Sequence, residues 1–115
     1  MKNLLMLLFI FLICCDKKQE QFNSEKWKNA CADSFCNDRE LMVQDLLKSR
    51  LIVGMLEDKI ISLLGKPNNV DSVGIRYDVF IDYGWNIDPI ETKTLEFKIK
   101  NHRAIDFSLE HWKAE

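Results

Sequence analysis

Two histidines, four cysteines and a scatter of carboxylates are the residues of this chain that could do chemistry, and their spacing limits what that chemistry is. His102 falls between two strand-like stretches, at an expected hairpin tip, where it is solvated; His111 falls on the inward parity of the last stretch, as an edge-of-core residue. Cys31 and Cys36 are spaced C-x4-C (CADSFC), unlike the C-x-x-C of redox enzymes. Neither histidine stands at a zinc-ligand spacing from them, so no metal site is expected. Asp78, Asp82, Glu96, Asp106 and Glu110 share one parity with Arg76, Lys98 and Lys100. Opposite charges across strands are worth about 0.2–1 kcal/mol per pair and account for this face without an acid–base dyad. The G-x-S-x-G, H-E-x-x-H, P-loop and dinucleotide fingerprints are missing from the sequence. The expectation is a non-enzyme with no catalytic residue and no cofactor.

The remaining chemistry lies at the N-terminus, MKNLLMLLFIFLICC. Lys2 precedes an unbroken apolar run of ten residues, Leu4 to Ile13, the length of the apolar core of an export signal. Counted on to Cys15 the run is twelve residues. As a helix that is about 18 Å, against about 30 Å of bilayer hydrocarbon, too short for a stable span and unfavourable for an uncleaved anchor. No small-residue A-x-A pattern precedes the break. The stretch resembles a bacterial lipobox, in which an apolar-apolar-small triplet precedes a cysteine that is lipidated and becomes the first mature residue. With Cys15 in that place the triplet is Leu12-Ile13-Cys14; with Cys14 it would end on Ile13, which is not small. Residues 1–14 are therefore expected to be a lipoprotein signal peptide, with a diacylglycerol on Cys15, since one acyl chain alone anchors only marginally.

Cleavage after residue 14 of 115 leaves 101 residues carrying 15 basic and 18 acidic side chains, a net charge of −3. That is enough chain for one domain and lacks the basic excess of a nucleic-acid partner. Residues 16–26 (DKKQEQFNSEK) read as a flexible polar tether. In an oxidising compartment Cys31 and Cys36 are expected to pair as a disulfide; the other reading is two small buried thiols. The organisation is thus signal (1–14), lipidated cysteine, tether and cysteine pair (15–37), and domain (38–115).

The elements of that domain follow from periodicity. Asn37 as N-cap with Glu40 three residues on opens a helix whose apolar face is Met42, Val43, Leu46 and Leu47, with Arg39 mostly off it. Ile60, Leu63 and Leu64 mark a second short helix, closed by Gly65 and Pro67. The period then drops to two, giving three strands with inward faces Ile75-Tyr77-Val79-Ile81-Tyr83, Leu95-Phe97-Ile99 and Ile105-Phe107-Leu109. The expected fold is α+β, two helices on one face of a three-stranded antiparallel sheet. A two-residue turn at Asn101-His102 would put Ile105 and Phe107 outward, so a three-residue loop or a bulge near Asn101 to Arg103 is expected. Phe80 and Trp112 fall on the outer parity, and Trp85 and Ile87 in the connection GWNIDPIE. Phe80, Trp85 and Trp112 are the expected partner-contact surface.

The run LIVGMLEDKIISLLGKPN resembles the helix signature of the SmpA/OmlA (BamE-like) lipoprotein family through Gly54, Met55, Ile60, Leu63, Leu64, Gly65 and Pro67. Leu56 departs from the Ser or Thr that usually caps this helix in the family. The resemblance implies an α-α-β-β-β domain, a shape shared with the repeats of β-lactamase inhibitor protein. It also implies a lipoprotein of the outer membrane facing the periplasm or cell surface, bound to another envelope protein and accessory to cell-envelope or outer-membrane protein assembly. The alternative is an inhibitor or capture protein of the β-lactamase-inhibitor-like shape.

Overall fold

The computed structural model describes residues 19–30, 38–85 and 87–114; Cys15, Cys31, Cys36 and Asn37 lie outside the described residues. Those residues form α1 (Ser24–Asn29), α2 (Asp38–Ser49), α3 (Glu57–Leu64), β1 (Asn69–Val70), β2 (Gly74–Asp82), β3 (Glu91–Lys100) and β4 (Arg103–Lys113). The sheet is antiparallel throughout, in the order β1-β2-β3-β4. The α+β class is as expected, with one helix and one two-residue strand more than the sequence periodicity gave.

The extra helix corrects the tether. The tract read as tether holds Phe22, and Trp27 follows it directly; both are buried. Asn23 caps α1 by accepting from the Lys26 N–H at 3.0 Å. The Glu20 N–H donates to the Leu41 carbonyl at 3.0 Å, and the Phe22 N–H to Asp45 Oδ2 at 2.7 Å. Burying side chains of this size is worth about 1.5–3 kcal/mol each, enough to order a stretch whose remaining residues favour water.

Helix α2 buries Met42, Val43 and Leu46 as its spacing requires, and also Arg39. Helix α3 buries Ile60 and Leu64 and ends at Gly65 with φ 84°, the left-handed exit that glycine takes without strain. Leu56 makes no side-chain cap. The hairpin supplies one instead: the Glu57 N–H donates to the His102 carbonyl at 2.8 Å. The Gly54 N–H also donates to the Ala104 carbonyl at 2.7 Å, and the Ala104 N–H to the Met55 carbonyl at 2.8 Å. The α2–α3 connection thereby covers the edge of β4 beside the hairpin.

Two bulges set which side chains face the helices. The hairpin does use the two-residue turn, with Asn101 and His102 both at positive φ (53° and 63°) and Lys100 opposite Arg103. Ile99 then opposes Ala104, and the shift falls beyond the turn, leaving Ile105 as the extra residue. Phe107 opposes Phe97, as the alternation demands. Ala104 is 1 % exposed and Ile105 51 % exposed, reversing the expected inward Ile105. The small residue sits where the backbone of Gly54 and Met55 closes on the strand. In β2 the second shift makes Val79 the extra residue and pairs Phe80 with Lys93.

The core joins Phe22, Trp27, Met42, Leu46, Ile60, Leu64, Ile75, Tyr77, Leu95 and Phe97 between sheet and helices. Tyr77 meets Phe97 edge to face at 6.1 Å, and its hydroxyl donates to the Gly65 carbonyl at 2.7 Å. Burial raises the Tyr77 pKa, so the phenol stays a neutral donor. Gly74 lies so close to β3 that any side chain there would strike the Phe97 carbonyl oxygen.

Candidate functional site

Several of the polar residues with chemical potential are engaged in pairing. His111 Nε2 lies 2.6 Å from Glu91 Oε2, which holds the Glu91 carboxyl below its usual pKa; both side chains reach solvent. His102 is at the hairpin tip, 4.0 Å from Glu57 Oε1. Arg76 bridges Glu96 at 2.8 Å and Asp71 in a shorter contact. Asp71 also accepts from the Val73 and Gly74 N–H groups. Arg76, and then these amides, pull its carboxyl down to about 2. Lys93 Nζ binds Glu40 Oε1 at 2.6 Å, fastening α2 to β3. Among the described residues no three His, Cys, Asp or Glu side chains converge as metal ligands.

Arg39 is the polar residue that periodicity misplaced. Its Nε donates to the Trp27 carbonyl at 3.0 Å and its Nη1 to the Asp78 carbonyl at 2.8 Å and Asn68 Oδ1 at 3.3 Å. The guanidinium lies 5.1 Å from the Trp27 ring centroid. Burial lowers its pKa, while Asp78 acts to raise it. The buried cation joins α1, α2 and β2 by hydrogen bonds to carbonyls; it is a structural clamp.

The three aromatics expected to form one contact surface are divided. The bulge at Val79 turns Phe80 to the helix side, half-buried, with Lys93 Nζ 5.6 Å from its ring centroid. Trp112 pairs with Thr92 on the open face and is 53 % exposed. Trp85 is fully exposed at 104 %, and Ile87 at 95 %. The base of their loop is held by Ile90 N–H to the Asp82 carbonyl (2.7 Å), Ala114 N–H to the Ile90 carbonyl (2.8 Å) and Gly84 N–H to Asp82 Oδ1 (2.9 Å). A depression of about 540 Å³ lies there, lined by Trp85, Ile87, Asp88, Pro89, Ile90 and Ala114.

A second exposed apolar group, unmarked by strand parity, surrounds the hairpin end: Ile52, Val53, Leu56, Val70, Val73 and Ile105. Leu56 bridges Arg103, and the Val73 carbonyl accepts from the Ile99 N–H at 3.0 Å, so these side chains are brought to one end by the hairpin and the β1–β2 turn. Beside them opens a cleft of about 350 Å³ whose lining includes Glu57, Val70, Asp71, Gly74, Ile99 and His102. The available sequence signal was the run Leu51-Ile52-Val53 just after a helix that had already ended. The domain thus carries an aliphatic patch at the hairpin end and an aromatic one at the β2–β3 loop end. No helix among the described residues is long and apolar enough to cross a membrane. Comparison of the chain with protein-family models, with curated proteins and with solved structures finds no match.

Proposed function

We propose that this chain is a lipid-anchored, non-catalytic protein-binding module of a bacterial envelope, held by an acylated Cys15, with Cys31 and Cys36 paired between α1 and α2. The observation that carries the binding reading is the aliphatic rim at the hairpin end. Six exposed branched side chains (Ile52, Val53, Leu56, Val70, Val73 and Ile105) are gathered at that end, and Val70 also lines the cleft beside them. A contiguous apolar patch with a polar border is the ordinary signature of a protein-contact surface. The BamE-like shape enters here as a resemblance in the α3 signature and in the order of helices before strands, and with it a role in outer-membrane protein assembly.

Two measurements test this reading. Metabolic labelling with a fatty-acid analogue should mark the wild type and not Cys15→Ala; label retained by that variant overturns the anchor site. A photo-crosslinking residue placed at Val73 should give one discrete adduct in intact envelopes, and the same group at Thr94, on the charged open face, should give none. Adducts to barrel-assembly subunits support the assembly role, and an adduct to a soluble enzyme supports the inhibitor alternative. Equal labelling from both positions overturns the hairpin surface.

A further inference from the structure

We propose that the β2–β3 loop end of the domain sits in the interfacial layer of the bilayer that holds the anchor, with Trp85 and Ile87 entering the lipid and Trp112 at its margin. This rests on the lipid-anchoring reading above and adds an orientation and a second, non-covalent membrane contact.

The direction of the chain carries the argument. Going back from Phe22, bonded to Asp45, to Glu20, bonded to Leu41, the backbone runs toward the N-terminus of α2. That end of α2 lies over the loop half of the sheet: Glu40 holds Lys93, and Arg39 reaches the Asp78 carbonyl. The other end of α2 leads to Gly54, bonded to Ala104 beside the hairpin. From Gln19 back to Cys15 is four residues, a reach of at most about 14 Å. The last strand rung, Asp82 with Glu91, is two residues beyond Lys93, or about 7 Å. From Leu41 the hairpin lies the other way, beyond the remaining eight residues of α2, about 12 Å, and beyond the connection that follows to Gly54. A tether this short brings the loop end to the membrane and holds the hairpin end away from it.

The chemistry of the two ends agrees. The large exposed aromatics, Tyr83, Trp85 and Trp112, are all at the loop end, and the hairpin patch is purely aliphatic. Trp and Tyr are the side chains that favour the headgroup layer, where an apolar ring and a polar edge are both accommodated. Asp82, Asp88 and Glu91 beside the loop outweigh Lys113, so attraction to anionic headgroups does not contribute. The contact is one of apolar insertion beside a covalent lipid.

The test uses the full lipidated chain carrying Trp112→Phe, reconstituted into phosphatidylcholine vesicles with or without bromine on the acyl chains near the headgroup. Trp27 is fully buried and supplies a constant background. The Trp85 emission should fall by about half or more in brominated vesicles, equally with and without anionic lipid. The loss should vanish in Trp85→Phe and weaken in Ile87→Glu. If the chain floats with the vesicles while Trp85 escapes bromine and stays open to acrylamide, the proposed contact is wrong and the anchor stands. If the chain does not float, the anchoring reading itself fails and takes this inference with it. Quenching that requires anionic lipid would replace apolar insertion by an electrostatic contact and overturn the proposal as stated.

Discussion

Arg39 shows how far one side chain's role depends on its surroundings. Helical spacing sets it beside an apolar stripe, and an arginine there is ordinarily read as solvated. In the fold its guanidinium satisfies carbonyls of α1 and β2 at once and stacks against Trp27. Hydrogen bonds from a charged donor contribute about 1.5–3 kcal/mol, and without Arg39 the Trp27 carbonyl would keep only the longer bond from the Ala30 N–H at 3.3 Å. Arg39→Ala is therefore expected to lower stability by about 2–4 kcal/mol in urea unfolding, through the lost charged hydrogen bonds and the lost packing on Trp27. Arg39→Lys should recover less than half of that, because a point-like ammonium lacks the planar fork that reaches both carbonyls. An Arg39→Lys midpoint equal to wild type would show that charge alone matters here.

At the scale of elements, the β3–β4 hairpin illustrates two requirements that sequence reasoning treated as alternatives. Alternation required Phe107 opposite Phe97, and the tight Asn101-His102 turn contradicted it unless a residue was looped out. The chain meets both by placing the bulge at Ile105, after the turn. Which residue bulges was unreadable from β4 alone, since it depends on Gly54 and Met55 closing on Ala104 from the α2–α3 connection. The turn itself carries a cost. His102 holds φ 63°, a left-handed conformation that disfavours a side chain by about 1–2 kcal/mol. His102→Gly would create the Asn-Gly pair preferred in such turns and retain the backbone carbonyl that caps α3. It is expected to raise stability by about 0.5–1 kcal/mol, or about 2–8 °C in thermal unfolding. A lower Tm would mean that the His102 ring contributes a contact beyond its distant one to Glu57.

For the molecule as a whole, the question is where the folded unit begins. Composition marked residues 16–26 as tether, yet packing extends to Glu20 through Phe22 and Trp27, and Trp27 is fully buried in the core. Trp27→Ala should then cost about 3–5 kcal/mol in urea unfolding, as for other buried aromatics. A midpoint unchanged by that substitution would return this stretch to the tether. The fold class, the C-terminal limit of α3 and the inward faces of β3 were legible in the sequence, because each depends on local spacing: apolar residues at helical or alternate positions, a glycine and a proline where a helix must stop. The exposed aromatics were legible only in part. Trp85 and Trp112 stood out as large apolar residues in polar surroundings, but Phe80 was misassigned by a bulge that leaves no mark in the pattern. The aliphatic rim escaped notice because its members come from two connections and two strands far apart along the chain. By itself the sequence determined the periodicity of the helices and strands and the breaks between them. Only the tertiary structure decided side-chain facing past each bulge, the burial of Arg39 and Trp27, and the segregation of apolar residues to two ends. Those outcomes depend on contacts between segments far apart along the chain, and local spacing carries no record of them.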